Sequence, residues 1–212
     1  MQQENERYLN NGRLSFKESL PVDKIVEVFN QTLNLPVDFS KNHRTSSLED
    51  EIRLFREVQS GACSAKHYYL GRQLENLGLA PLYLTIPFYW QKQPFEYPSS
   101  LKQLSLQMPL QFHAALLVML ENRPIQLDAT WDEPLSVAGF PNNKLTCLMT
   151  VSIGVVPAGE IITHSSAQER WQYILELKQQ MSHSSLVTQF YGQLNEWLQE
   201  IRVQSGFLAN RQ

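Results

Sequence analysis

The chain has 212 residues, of which 42% are hydrophobic and 18% are charged. This composition is typical of a packed globular protein and excludes a disordered or fibrous one. Its 18 basic and 21 acidic residues give a net charge of −3, so the sequence lacks the basic excess expected of a protein that binds nucleic acid.

The chain carries no recognisable export or membrane signal. Residues 1–20 are polar and contain no apolar signal core. The longest apolar run, residues 114–120, is far shorter than the roughly 20 residues that span a bilayer. We therefore expect a cytoplasmic protein without a membrane partner, whose 2 cysteines are thiols because they are too few for a disulfide framework.

Three amphipathic helices are predicted in the N-terminal part of the chain. Residues 21–35 carry apolar side chains at helical spacing. A capping motif of a hydroxyl and a carboxylate three residues later introduces a second helix over about residues 48–59. The third helix covers residues 63–77, with Cys63 in its first turn and Gly78 at its C-terminal end.

The pattern then changes from helix to strand. Residues 82–89 are rich in β-branched and aromatic side chains, and residues 112–120 are apolar on both alternations, which is typical of a central strand covered on both faces. Residues 125–131 alternate strictly and are predicted to form a hairpin with residues 112–120. Residues 145–156 are a further strand candidate, and residues from about 165 to 206 read as helices.

This order of elements predicts an α+β fold, with N-terminal helices packed on a central antiparallel sheet and helices again at the C-terminus. We place a core at residues 1–160 and a helical extension, packed on that core, at residues 161–212. The apolar stripes of the last helices most simply cover the sheet. A protein partner or a second copy of the chain could also dock on them.

Motifs for phosphate loops, dinucleotide turns, zinc-spaced cysteine pairs and His-Glu-x-x-His are absent, so no cofactor or metal is predicted. What remains is a set of Cys63, His113 and Asp128. At a helix start, free N–H groups and the helix dipole lower the pKa of a thiol below its usual value of about 8.5, as a nucleophile requires. The alternative is that Cys63 is a small buried hydrophobic residue.

The predicted hairpin places His113 and Asp128 on one face of the sheet. A turn at residues 121–122 or at residues 122–123 leaves Asp128 one or two diagonal steps from His113, and one step is within hydrogen-bond reach. In the second register Asp132 faces His113 and becomes a rival partner. The alternative for His113 is a core or strand-end histidine that is bonded to a backbone carbonyl. The alternative for Asp128 is a carboxylate near the turn or in solvent.

Three motifs resemble the transglutaminase-like branch of the papain-like cysteine enzymes, over about residues 48–131. They are Gly61-Ala62-Cys63 at a helix start, His113-Ala114, and Leu127-Asp128-Ala129-Thr130-Trp131. The resemblance implies a papain-like fold and a triad of Cys63 as nucleophile, His113 as base and Asp128 as the carboxylate that orients it. It also implies acyl transfer from a peptide-like amide substrate through a thioester, with water or an amine as acceptor.

Two positions depart from the family pattern. The aromatic residue often found shortly after the histidine is replaced by Ala115 and Leu116, and the usual arginine after the Leu-Gly motif is replaced by Pro81-Leu82. These departures favour a second hypothesis, a catalytically inactive binding or scaffold module, whereas the intact triad favours an enzyme. A third hypothesis is a helical interaction protein in which the three residues never meet.

Three further residues have predicted roles. His67 follows Cys63 by one turn; because a zinc site needs three or four ligands, helix packing or support of the triad is favoured over metal binding. Cys147 is predicted to lie in the core of a strand. Gln59 is a candidate for the second donor of an oxyanion hole by position alone.

Overall fold

The structure is a computed structural model of the chain and describes residues 22–40, 45–180 and 185–206. Within these residues, α-helices surround a four-stranded antiparallel sheet, so the fold class is α+β, as the element order predicted. The helices are α1 Val22–Leu33, α2 Leu48–Val58, α3 Cys63–Asn76, α4 Ser99–Ser105, α5 Ala167–Gln180 and α6 Ser185–Gln204. The strands are β1 Leu82–Phe88, β2 Gln111–Leu120, β3 Arg123–Leu127 and β4 Ile162–His164.

The first three helices form close to where the sequence predicted them. The Ser47 hydroxyl accepts a hydrogen bond from the Asp50 N–H at 3.1 Å, so the predicted capping motif does start α2. The chain leaves α3 through Gly78, whose φ of 84° favours glycine. Pro21, at the predicted start of the first helix, lies outside the described residues.

The sheet has the strand order β3-β2-β1-β4, which makes β1 and β2 central. In the β2–β3 hairpin, Leu116 pairs with Leu127 and Leu120 with Arg123, so the turn lies at residues 121–122, the first of the two predicted registers. Both turn residues have positive φ, 49° and 62°, as in a type I′ turn that matches the twist of the flanking strands.

The core fills both sides of the sheet, and β2 separates its two halves. Leu116 and Val118 pack with α1 and α3 on one side. Ala115 packs with α6 and an aromatic cluster on the other. Successive residues of β2 are therefore buried on opposite faces, as its continuous apolar sequence predicted.

The predicted strand at residues 145–156 is wrong. This segment runs irregularly beside β3, where the Val151 N–H donates to the Gln126 carbonyl at 3.0 Å and the Gln126 amide donates to the Val151 carbonyl at 2.8 Å. Apolar side chains of this segment, such as Val155, are buried although the segment forms no strand ladder. Their recurrence along the sequence is what resembled a strand. Cys147, predicted to be core, is exposed.

The predicted extent of the hairpin also needs correction. β3 ends at Leu127, so residues 128–131 leave the sheet as coil although their sequence alternates like a strand. Between β1 and β2, the short helix α4 forms where Leu101 turns into the core.

The C-terminal residues contribute to the sheet as well as to the helical layers. β4 pairs with β1, with His164 opposite Tyr83. The predicted boundary after residue 160 therefore falls just before a strand of the sheet. α5 packs on α2, β1 and β4, and α6 lies against α4. Among the described residues, none of the helices is both long and apolar enough to cross a membrane.

Candidate active site

Cys63 is the first residue of α3, and the chain before it is tightly fixed. Gly61 forms a parallel bridge with Val37, and a side-chain carbon added at Gly61 would lie only 3.0 Å from the Phe55 ring. Glycine is therefore the residue that lets the chain pass close to α2 and enter α3 at this point. As the first helical residue, Cys63 has an N–H group without a partner inside the helix.

His113 and Asp128 form a buried pair beside Cys63. The His113 Nε2–H donates to Asp128 Oδ2 at 2.6 Å, and both side chains are buried. Because Nε2 is engaged by the carboxylate, the other ring nitrogen, Nδ1, is the one left to interact with the Cys63 thiol, and each of these two groups shifts the pKa of the other. The three predicted residues therefore lie together, with His113 between Cys63 and Asp128.

The end of β3 explains how Asp128 reaches the histidine. Once the chain leaves the sheet, the Asp128 carboxylate accepts from the Thr130 N–H at 3.1 Å and from the Gly154 N–H at 2.7 Å. Burial alone would raise the pKa of this carboxyl, but His113, and after it His67 and the Gly154 N–H, hold the pKa well below its usual range. Asp128 is therefore an ionised, fixed acceptor.

The pKa values of the thiol and the imidazole move in opposite directions. Burial by itself would raise the pKa of Cys63, but the hydrogen bond and charge of His113, the charge of Arg170 and the Ala114 N–H outweigh it and lower the pKa. Burial would lower the pKa of His113, but Asp128, through charge and hydrogen bond, and then Cys63 raise it far above its ordinary value. Both shifts favour the ion pair over the neutral pair.

His67 supports the triad and is held in one tautomer. Its Nε2 accepts from the Ala129 N–H at 3.0 Å, so the proton is on Nδ1, which donates to the Cys63 carbonyl at 2.8 Å. Burial lowers the pKa of His67 to about 4, so the ring is neutral near pH 7. It ties the first turn of α3 to the residue after Asp128, in the supporting role that its spacing suggested.

Arg170 of α5 is a buried cation that the sequence analysis missed. It is fully buried, and its guanidinium donates to the Leu84 and His113 carbonyls at 2.9 and 3.2 Å. It also donates to the hydroxyls of Ser64 and Tyr68 at 3.2 and 2.8 Å. Its only sequence signal is an arginine next to an apolar helical stripe, which is ordinarily a solvent-facing residue.

Asp132, the predicted rival partner of His113, has a different role. It receives two hydrogen bonds of 2.7 Å from the buried Arg202 of α6 and one of 3.1 Å from the Val37 N–H. Lys66, also buried, donates to the carbonyls of Leu33, Leu35 and Thr130. Both groups fix the chain around the site without touching the triad.

Gln59, considered as an oxyanion donor, lies in the αL conformation at the end of α2. Its exposed side-chain amide donates to the Arg56 carbonyl. It is therefore engaged away from the thiol. Within residues 22–40, 45–180 and 185–206, no group of three or more His, Cys, Asp or Glu side chains has the arrangement of a metal site.

A pocket of about 620 Å³ opens onto the triad. Cys63 and His113 lie in its wall, together with the aromatic side chains of Trp90, Trp131 and Tyr191. Part of the wall comes from α5. A volume of this size falls within the range of small-molecule sites, so a substrate could reach the sulfur atom from this side.

Comparisons with known proteins give little further information. No protein-family model matches the chain, and a search of curated proteins finds no match. Among solved structures, a proposed cysteine protease from Cytophaga hutchinsonii is similar, with a TM-score of 0.36 and 15% identity. The similarity covers 66% of this chain and 41% of that protein. A likeness this distant carries no assignment of activity, which has to be argued from the site.

Proposed function

We propose that the protein is a cysteine acyl-transfer enzyme of the transglutaminase-like, papain-like kind, acting on amides through a thioester. The observation that carries the proposal is the buried hydrogen bond between His113 and Asp128 beside the Cys63 thiol, at the wall of an open pocket. The Asp128 carboxylate orients the His113 imidazole, and the imidazole acts as the base for the Cys63 thiol.

The resting site favours a thiolate and an imidazolium. The pKa of Cys63 is lowered and that of His113 is raised, and both shifts favour the proton on the ring. Asp128 accepts from Nε2 and keeps Nδ1 directed at the sulfur. A thiolate prepared in this way attacks a carbonyl carbon without first losing a proton to solvent.

The reaction then proceeds in two halves. The sulfur forms a bond to the carbonyl carbon, and the oxygen takes the negative charge. The backbone N–H of Cys63, unpaired within α3, is placed to donate to that oxygen. His113 gives its proton to the leaving amine as the carbon–nitrogen bond breaks, which leaves a thioester. It then takes a proton from the water or amine that attacks the thioester carbon. The carbon–sulfur bond breaks, which releases the acid or the new amide and restores the thiolate.

The experiment is a screen of γ-glutamyl and peptide amides with a Cys147→Ala protein, in which Cys63 is the remaining cysteine. Release of the amine is measured together with the mass of an acyl adduct on the protein. We expect turnover that is lost in Cys63→Ala and in His113→Ala. Turnover that survives Cys63→Ala would contradict the proposal, and binding of amides without any adduct or release would favour an inactive binding module.

A further inference from the structure

The pocket beside Cys63 carries information about the substrate. We infer that the acyl group taken by Cys63 bears a bulky apolar or aromatic side chain, which is bound in the pocket between the sheet and α5. This inference rests on the proposed function and names the class of its substrate: acyl donors with a large apolar acyl part, in preference to small polar γ-glutamyl amides.

The pocket walls are rich in aromatic side chains that already pack on one another. The Phe39 ring stacks on Tyr191 with centroids 5.2 Å apart, and Phe88 meets Trp90 edge-on at 5.0 Å. Phe88 also lies edge-on to the His113 ring, at 6.2 Å. An apolar group in this space would contact rings that are held in place, so it would bind without ordering flexible side chains.

Several polar side chains that line the pocket are engaged by the protein itself. Ser64 and Tyr68 accept from Arg170, and the Trp131 indole N–H donates to the Gly154 carbonyl at 2.7 Å. The Tyr191 hydroxyl donates to the Gln111 side chain at 2.7 Å. Of the charged side chains that line the pocket, Lys178 is exposed and Glu51 accepts from the Trp171 indole N–H at 3.0 Å. A charged acyl side chain bound next to the triad would therefore lose its water without gaining a partner from the engaged groups there, and this desolvation penalty disfavours polar acyl groups.

One wall of the pocket comes from the C-terminal part of the chain, outside residues 48–131 on which the family resemblance rests. Trp171, Ile174 and Leu175 of α5 line it, and so does Lys178 one turn further along the same helix. The charge of Lys178 is exposed, whereas Ile174 is buried. α5 therefore contributes to the selectivity for the acyl group, and a substitution there changes specificity without touching the triad.

The test uses p-nitrophenyl esters of acetic, butyric, hexanoic, octanoic and phenylacetic acid with the Cys147→Ala protein. In each, the Cys63 sulfur forms a bond to the acyl carbon as the bond to the p-nitrophenolate breaks. Water then hydrolyses the thioester to the free acid and restores the thiol. γ-Glutamyl-p-nitroanilide serves as the small polar comparison.

We expect kcat/KM to rise about fourfold for each added methylene until the pocket is filled, as burial of apolar surface predicts. Leu175→Asp, which places a carboxylate at a pocket position that is 40% exposed, should flatten this series. Val203→Asp is the matched control, since Val203 is 61% exposed on α6 and does not line the pocket. A flat series in the parent protein, or preference for the γ-glutamyl substrate, would overturn the inference while leaving the acyl-transfer proposal intact.

A binding experiment separates the two proposals. The Cys63→Ala protein is titrated with 4-phenylbutyramide and with acetamide, and the shift in its melting temperature is measured. Tighter binding of 4-phenylbutyramide, lost in Leu175→Asp, supports the pocket assignment even if no ester is turned over, in which case the acyl-transfer proposal alone fails. Equal binding of both amides contradicts the assignment.

Discussion

Replacing Arg170 tests whether α5 belongs to the machinery of the site. Arg170→Met removes a fully buried cation and its hydrogen bonds to two carbonyls and two hydroxyls, which are left buried. Breaking such a buried charged cluster costs about 3–5 kcal/mol in the free energy of unfolding. For a chain of this size, that loss lowers Tm by roughly 10 °C. The pKa of Cys63 should also rise, because the charge of Arg170 helps to lower it.

The two effects can be separated in the Cys147→Ala background by urea unfolding and by the pH dependence of Cys63 alkylation. Arg170→Lys keeps the positive charge with fewer donors, so it should lose stability but retain more of the low pKa of Cys63. The matched control is Arg53→Met, which removes exposed ion pairs to Asp50 and Glu57 and should cost at most about 1 kcal/mol. Equal effects of Arg170→Met and Arg53→Met on both measurements would refute the role of Arg170.

Three other predictions follow from the same contacts. Asp128→Asn should lower the turnover of any accepted amide by about 10²–10⁴-fold, because an amide no longer fixes the tautomer of His113; a kcat within threefold of wild type would contradict this. Gly154→Ala should destabilise the fold by about 1–3 kcal/mol in urea, since the new carbon would lie 2.8 Å from Trp131 Nε1, whereas Gly192→Ala, with nothing within 4 Å, should not. The pKa of His67 is about 4 in the folded protein and about 6.5 in the unfolded chain, so unfolding takes up a proton at His67 below about pH 6.5. The free energy of unfolding should therefore fall by up to about 3 kcal/mol as the pH drops from 6.5 to 4. His67→Gln should remove that part of the pH dependence in urea titrations, and an unchanged slope would contradict it.

Much of the site could be predicted because its residues lie on regular elements with readable periods. The start of α3 was marked by glycine and by the helical stripe that follows Cys63. The predicted pairing of the hairpin placed His113 and Asp128 on one face of the sheet, and in the structure His113 Nε2 lies 2.6 Å from Asp128 Oδ2. Both features depend on the spacing of residues close together in the chain, which can be read from the sequence.

The parts that were missed depend on contacts between distant segments. Arg170 and the Gly154 N–H reach the triad from residues far along the chain, and nothing in their local sequence indicates burial. Residues 145–156 have the sequence pattern of a strand because apolar side chains recur along them. These side chains pack on the core from an irregular segment. The exposure of Cys147 follows from that error, since its burial was inferred from the strand.

The measurement that tests the central claim most directly is the pH dependence of iodoacetamide alkylation at Cys63, followed by mass spectrometry in the Cys147→Ala protein. An ion pair with His113 predicts fast alkylation well below pH 8, and a rate in this range that falls in His113→Ala. A rate that rises with an ordinary thiol pKa of about 8.5, unchanged by His113→Ala, would contradict the proposed site.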